Sequence, residues 1–189
     1  MEAVKSDLIQ AQDEVSASSA GGAPFLIAYG ITIFITGVLY FFLPLPTVAL
    51  IAIFQGTVAL PVAFWLERRL GWQRRTADNP LQSLSVQMAM SQVLALPATI
   101  IAYSLNPVTV PAVLAAIGGG HFLPYAWLHR TRVYAIFAVA VSIGAFIIQL
   151  LLGADAFPII LFYMAVVYWI AAPLVYRNAA ALTGRQSPV

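Results

Sequence analysis

The chain has 189 residues, of which 61% are hydrophobic and 8% charged, with a net charge of +2. Soluble domains carry about 25% charged residues, so a chain this apolar lacks the polar surface to keep its core in water, and a soluble globular enzyme is excluded. The absence of cysteine removes disulfides, thiolate catalysis, Cys-ligated zinc and iron–sulfur clusters, and the small positive balance leaves no nucleic-acid footprint.

The first segment, residues 1–22, is acidic. Glu2, Asp7, Asp13 and Glu14 face a single lysine, Lys5, and the first twenty residues lack the apolar core of a cleavable signal peptide. Val4, Leu8, Ala11 and Val15 fall on one helical face. Two placements fit this pattern. The helix either lies on the membrane interface or docks on the basic turn that carries Arg68, Arg69, Arg74 and Arg75.

Beyond it the charges cluster at 67–78, at 130–132, at Asp155, and at Arg177 with Arg185. The apolar stretches between them are long enough for a bilayer, which takes roughly 20 helical residues per crossing. With the internal turns included, six spans are expected, at about 23–43, 46–66, 86–105, 107–128, 133–152 and 157–176. Leu43-Pro44-Leu45-Pro46 cannot continue a helix. Asn106-Pro107 reads as an N-cap with proline in the first turn. Gly153 offers a left-handed residue for the last turn. Turns this short predict antiparallel neighbours, hence an all-α polytopic bundle of three helical hairpins over 23–177, followed by a tail at 178–189.

The turns after spans one, three and five contain neither Lys nor Arg, and all nine basic residues lie at the N-terminus, in the other two turns or in the tail. By the positive-inside rule both termini are cytoplasmic. An offset of 62 residues superposes the first two hairpins. Leu43, Thr47, Val48, Gly56, Trp65, Leu66 and Arg68 fall on Leu105, Thr109, Val110, Gly118, Trp127, Leu128 and Arg130, the signature of a parallel repeat. Pro61, Pro124 and Pro173 lie in the cytoplasmic halves of their spans and Pro97 lies within span three. Each frees backbone carbonyls, either to shape the bundle or to open a cavity.

Span four carries Gly118-Gly119-Gly120-His121 and, one turn on, Tyr125. His121 stands nine residues, about 13 Å, before Arg130, and so near mid-depth. It is the one Asp, Glu, Lys, Arg or His inside any span, which marks it as a functional candidate. The three glycines permit close approach of a helix or a ligand. The alternative is a structural imidazole bonded to a freed carbonyl or to Gln55, Gln92 or Gln149. One intramembrane histidine cannot build a zinc or di-iron centre. No span holds a carboxylate pair or a lysine, and there is no phosphate-binding glycine loop. No metal, no cofactor and no catalysis are therefore expected. In span one Tyr29, Thr32 and Thr36 form a polar stripe suited to helix packing.

The run GGGHFLPYAWLHRTR from Gly118 to Arg132, with Gly22–Phe25 and Asn79-Pro80-Leu81, resembles an uncharacterised family of small bacterial multi-span integral membrane proteins, a domain of unknown function. The resemblance implies a bacterial inner-membrane protein and no particular activity. The expected function is binding or transport of a small uncharged or amphipathic molecule, in a pocket lined by His121, Tyr125, Gln55, Gly118, Gly119, Gly120 and Gln92. The alternative is a non-catalytic accessory or scaffold subunit, with an intramembrane enzyme a third and lesser reading. The expected partners are the lipid bilayer, a small-molecule ligand and a second copy of the chain, and not nucleic acid.

Overall fold

The structure is a computed structural model that describes residues 2–71 and 78–184. Every regular element among the described residues is helical: α1 (Glu2–Ser18), α2 (Ala23–Leu39), α3 (Leu45–Phe54), α4 (Gly56–Leu70), α5 (Pro80–Leu94), α6 (Leu96–Leu105), α7 (Val110–Leu128), α8 (Val133–Leu152) and α9 (Ala156–Gly184). Five segments are long and apolar enough to cross a membrane: Ala20–Leu39, Leu45–Leu70, Pro80–Leu105, Pro107–Leu128 and Val133–Leu182. The last, of 50 residues, reverses at Gly153, whose φ of 54° falls where glycine carries no Cβ penalty. Helices α8 and α9 pack on one another on either side of that turn.

Two rods bend in mid-course. α5 gives way to α6 at Ala95, because Pro97 has no N–H to offer the Val93 carbonyl. α3 passes into α4 at Gln55, where Val58 N bonds to the Gln55 carbonyl in a tightened turn. The third rod starts at Pro80 rather than at residue 86 as expected. Asn79 supplies the reason, since its side chain accepts from Leu81 N at 3.0 Å and proline occupies the first turn. The first rod is correspondingly shorter than expected and stops at Leu39 in tight turns over 40–43.

Helix α9 is the central post. It touches α2, α7, α8 and α1, and buries Phe157, Ile160, Leu161, Met164, Tyr168, Ala171 and Val175. α2 packs between α9 and α4, while α7 packs on α8. The α5–α6 rod is peripheral: within its two helices Leu81 and Thr99 are buried, whereas α2 buries eight residues. The outer surface is apolar, with Leu94 and Leu105 each 82% exposed and Leu151 77%. Such a surface suits hydrocarbon and would be untenable in water.

The placement of α1 gives the acidic segment a partner within the chain. Its last residue, Ser18, lies against Gly71 just past the Arg68–Arg69 turn, while Arg74 and Arg75, on which the docking expectation also rests, lie outside the described residues. It covers one end of the bundle, touching α5, α7 and α9. Val15 packs with Leu81 and Leu128, and Asp13 pairs with Arg130 at 2.8 Å. Val4 (72%) and Leu8 (40%) remain exposed, so only the second half of the apolar face is used. At its end Gly21 and Gly22 adopt φ of 64° and 80° to turn the chain into α2. A Cβ on Gly22 would collide with the Tyr134 hydroxyl, and that hydroxyl instead donates to Gly21 O at 2.6 Å.

Candidate functional site

Helix α7 carries most of the residues that the sequence singles out. It is launched by Asn106, whose side chain accepts from Val108 N at 3.1 Å, and it runs through Pro124 without breaking. His121 and Tyr125, one turn apart, stand with ring centroids 5.1 Å apart. Both face α5. The Tyr125 hydroxyl donates to Ser85 O at 3.1 Å, and the His121 ring lies against the Met88 backbone. One turn further along, Gln92 Nε2 reaches Ile117 O at 3.5 Å. Positions 117, 121 and 125 on α7 thus meet 85, 88 and 92 on α5 in one polar seam. Three of the expected pocket residues come together, and Tyr125 and Gln92 each spend a polar atom on joining two helices, which is worth about 0.6 to 2 kcal/mol apiece within a membrane.

The three glycines separate into three environments. Gly119 is pressed against α8, where a Cβ would strike Ser142 Oγ and the Ala138 carbonyl; Gly120 has nothing within 4 Å of that position. Gly118 faces the interior, with the Tyr168 hydroxyl 3.8 Å from where its Cβ would stand. Across the bundle the Tyr29 hydroxyl stands 3.1 Å from the corresponding point on Gly56. Gly56 and Gly118 are the pair that the 62-residue offset superposes, so each glycine makes room for a phenol from a neighbouring helix.

Those phenols were not expected in the site. Tyr168 is 5% exposed, its ring held by Phe122 and Phe137 at 5.9 and 4.8 Å, and it lies within electrostatic range of Tyr29. Among the described residues neither hydroxyl has a hydrogen-bond partner. Gln55, the residue before Gly56, buries its Oε1, again without one. Buried polar atoms are nearly always paired, so the bare Gln55 carbonyl oxygen is a conspicuous omission. The sequence signal was available in Tyr29 and in the repeat glycines, but the polar stripe of α2 reads equally as packing. Thr32 and Thr36 do bond to their own helix, to Tyr29 O and Thr32 O.

The second site missed from sequence is the covered end beneath α1. His129 is 2% exposed. Its Nδ1 lies 3.0 Å from Ser16 Oγ, its ring stacks on Tyr125 at 5.8 Å and leans on Tyr134 at 5.5 Å, and its carbonyl accepts from Asn178 at 3.1 Å. Burial pushes the imidazole down to about 4 from its ordinary 6.5. Gln12 donates to Trp127 O at 2.9 Å, and Asn79 donates to Ala11 O at 2.9 Å and to Glu14 at 3.2 Å, which completes the closure. The small-polar run Ser16-Ala17-Ser18-Ser19 at the end of α1 was the signal for such close packing.

Between α8 and α9 an outward-facing groove of 270 Å³ is lined by apolar side chains such as Ile136, Phe137, Ile170 and Leu174. Among the described residues no group of three or more His, Asp or Glu side chains is placed to hold a metal ion. No curated protein and no solved structure matches the chain. A family model covers residues 8–178, nearly the whole of the helical bundle, and the chain belongs to the family of unknown function DUF7010.

Proposed function

We propose that the chain crosses a bacterial inner membrane six times as three antiparallel hairpins, keeps both termini in the cytoplasm, and binds or carries a small uncharged or amphipathic molecule at mid-depth. The orientation rests on the basic residues, which are confined to alternate turns. The binding reading rests on one observation: the Gln55 carbonyl oxygen is buried without a partner, and the Tyr29 and Tyr168 hydroxyls, which bond to no described residue, stand against Gly56 and Gly118. Two donors and one acceptor suit a neutral polar group, and the absence of a carboxylate or lysine from the spans disfavours an ion. In this reading His121, Tyr125 and Gln92 fix the α5 wall of the pocket, Gly118 gives it depth, and Gly119 and Gly120 set how α7 meets its surroundings.

The test is a thermal-shift screen of uncharged metabolites and lipids on the protein in nanodiscs. A ligand of this site raises the melting temperature of the wild type and loses most of that effect in Tyr168→Phe and Gln55→Leu. Equal shifts in all three proteins would refute the assignment.

A further inference from the structure

The α5–α6 rod presents to the outside a row of residues that pure lipid contact does not explain. Its inward face is fixed by Ser85, Met88 and Gln92, which meet α7. On the opposite face Ser83, Gln87, Met90, Leu94, Pro97, Ile101 and Ser104 are all exposed. Their spacing alternates four and three residues without a break, the seam of a left-handed pair of helices. The seam runs for about 32 Å, most of a hydrocarbon core.

Gln87 gives the seam its chemistry. It neighbours Met88, which lies beside His121, and so shares the depth of His121, about 10 Å along the rod from Pro80. Its one hydrogen bond is Nε2 to Ser83 Oγ at a long 3.4 Å. The carbonyl oxygen and a second N–H have no partner among the described residues. Hydrocarbon cannot supply one, and leaving such groups bare costs several kcal/mol each. A carboxamide is self-complementary: across a twofold axis each copy offers the other one donor and one acceptor. Ser83 and Ser104 are small enough for close approach, while Met90, Leu94 and Ile101, at 57%, 82% and 60% exposure, supply the packing.

We infer that this surface is the interface between two copies of the chain, paired along α5–α6 with Gln87 facing Gln87. The pairing leaves the interior polar groups untouched, so it stands or falls separately from the binding reading.

Since the chain has no cysteine, single cysteines can be placed at each position from 82 to 94 in the full-length protein and oxidised in native membranes. Cross-linked dimer should peak at 83, 87, 90 and 94 and be least at 85, 88 and 92. In a separate experiment Gln87→Leu should raise the dimer dissociation constant in detergent roughly threefold to thirtyfold, with Gln87→Asn retaining most of the affinity. A uniform pattern, a maximum on the α7-facing positions, a product of another mass, or a wild type that stays monomeric at every concentration would each overturn the proposal.

Discussion

Acid should release α1 from the end of the bundle, and His129 should be the group responsible. In the docked state its imidazole is neutral and titrates near 4, because burial among Ser16, Tyr125 and Tyr134 penalises the charged form. Once α1 lifts and water enters, the ordinary value of 6.5 returns. The open state therefore binds a proton more tightly between those two values. Docking is at full strength above pH 6.5 and weakens as the pH falls towards 4. The open-to-docked ratio rises about thirtyfold by pH 5, and the full effect is about 3 kcal/mol. The charged groups nearby are Arg130 and Asp13, which pair with each other at 2.8 Å, so the experiment is repeated in an Asp13→Asn background. Spin labels at Leu8→Cys and Arg177→Cys, both exposed, report the distance between α1 and α9 by pulsed electron resonance. One short distance is expected at pH 7.5, with a longer population that grows below pH 6.5 and is insensitive to pH in His129→Gln. An identical pH response with and without His129 would show that another group controls docking.

Helix α7 offers simpler tests. Gly119→Ala should destabilise the bundle by about 1–3 kcal/mol, because its Cβ would enter the space of Ser142 and Ala138 on α8. Gly120→Ala, which meets nothing, should raise stability by up to about 1 kcal/mol through helix propensity; the two melting temperatures should move in opposite directions. Tyr125→Phe should lose the bond to Ser85 O and loosen α5 by about 1 kcal/mol. Hydrogen exchange should then quicken over 80–94 and stay unchanged in α9.

Much of the helical layout was legible because it follows from local chemistry. Proline pairs, Asn106, Gly153 and the alternation of charged turns each act within a few residues of their own position. The errors came where a distant partner decides. The third rod begins at Asn79 because that side chain caps α5 while bonding to Ala11 and Glu14 of α1, a contact invisible along the chain. α1 docks on the bundle end because Ser16 and Gln12 find His129 and the Trp127 carbonyl there, and amphipathicity alone cannot distinguish that from a lipid surface. His121 was legible as a ring one turn from Tyr125, but not as one side of a seam with α5. Tyr168 was passed over because an aromatic on an apolar helix usually packs, and only the glycine opposite its hydroxyl reveals the unpaired oxygen.

Everything rests on a chain that threads a membrane with its basic turns on one side. Single cysteine substitutions at Ala154, in the turn between α8 and α9, and at Glu2 and Asp78 probe this in intact cells with a membrane-impermeant maleimide. Ala154→Cys should label from outside at once, whereas Glu2→Cys and Asp78→Cys should label only after the membrane is opened. Labelling of position 2 or 78 in intact cells, or protection of position 154, would overturn the topology.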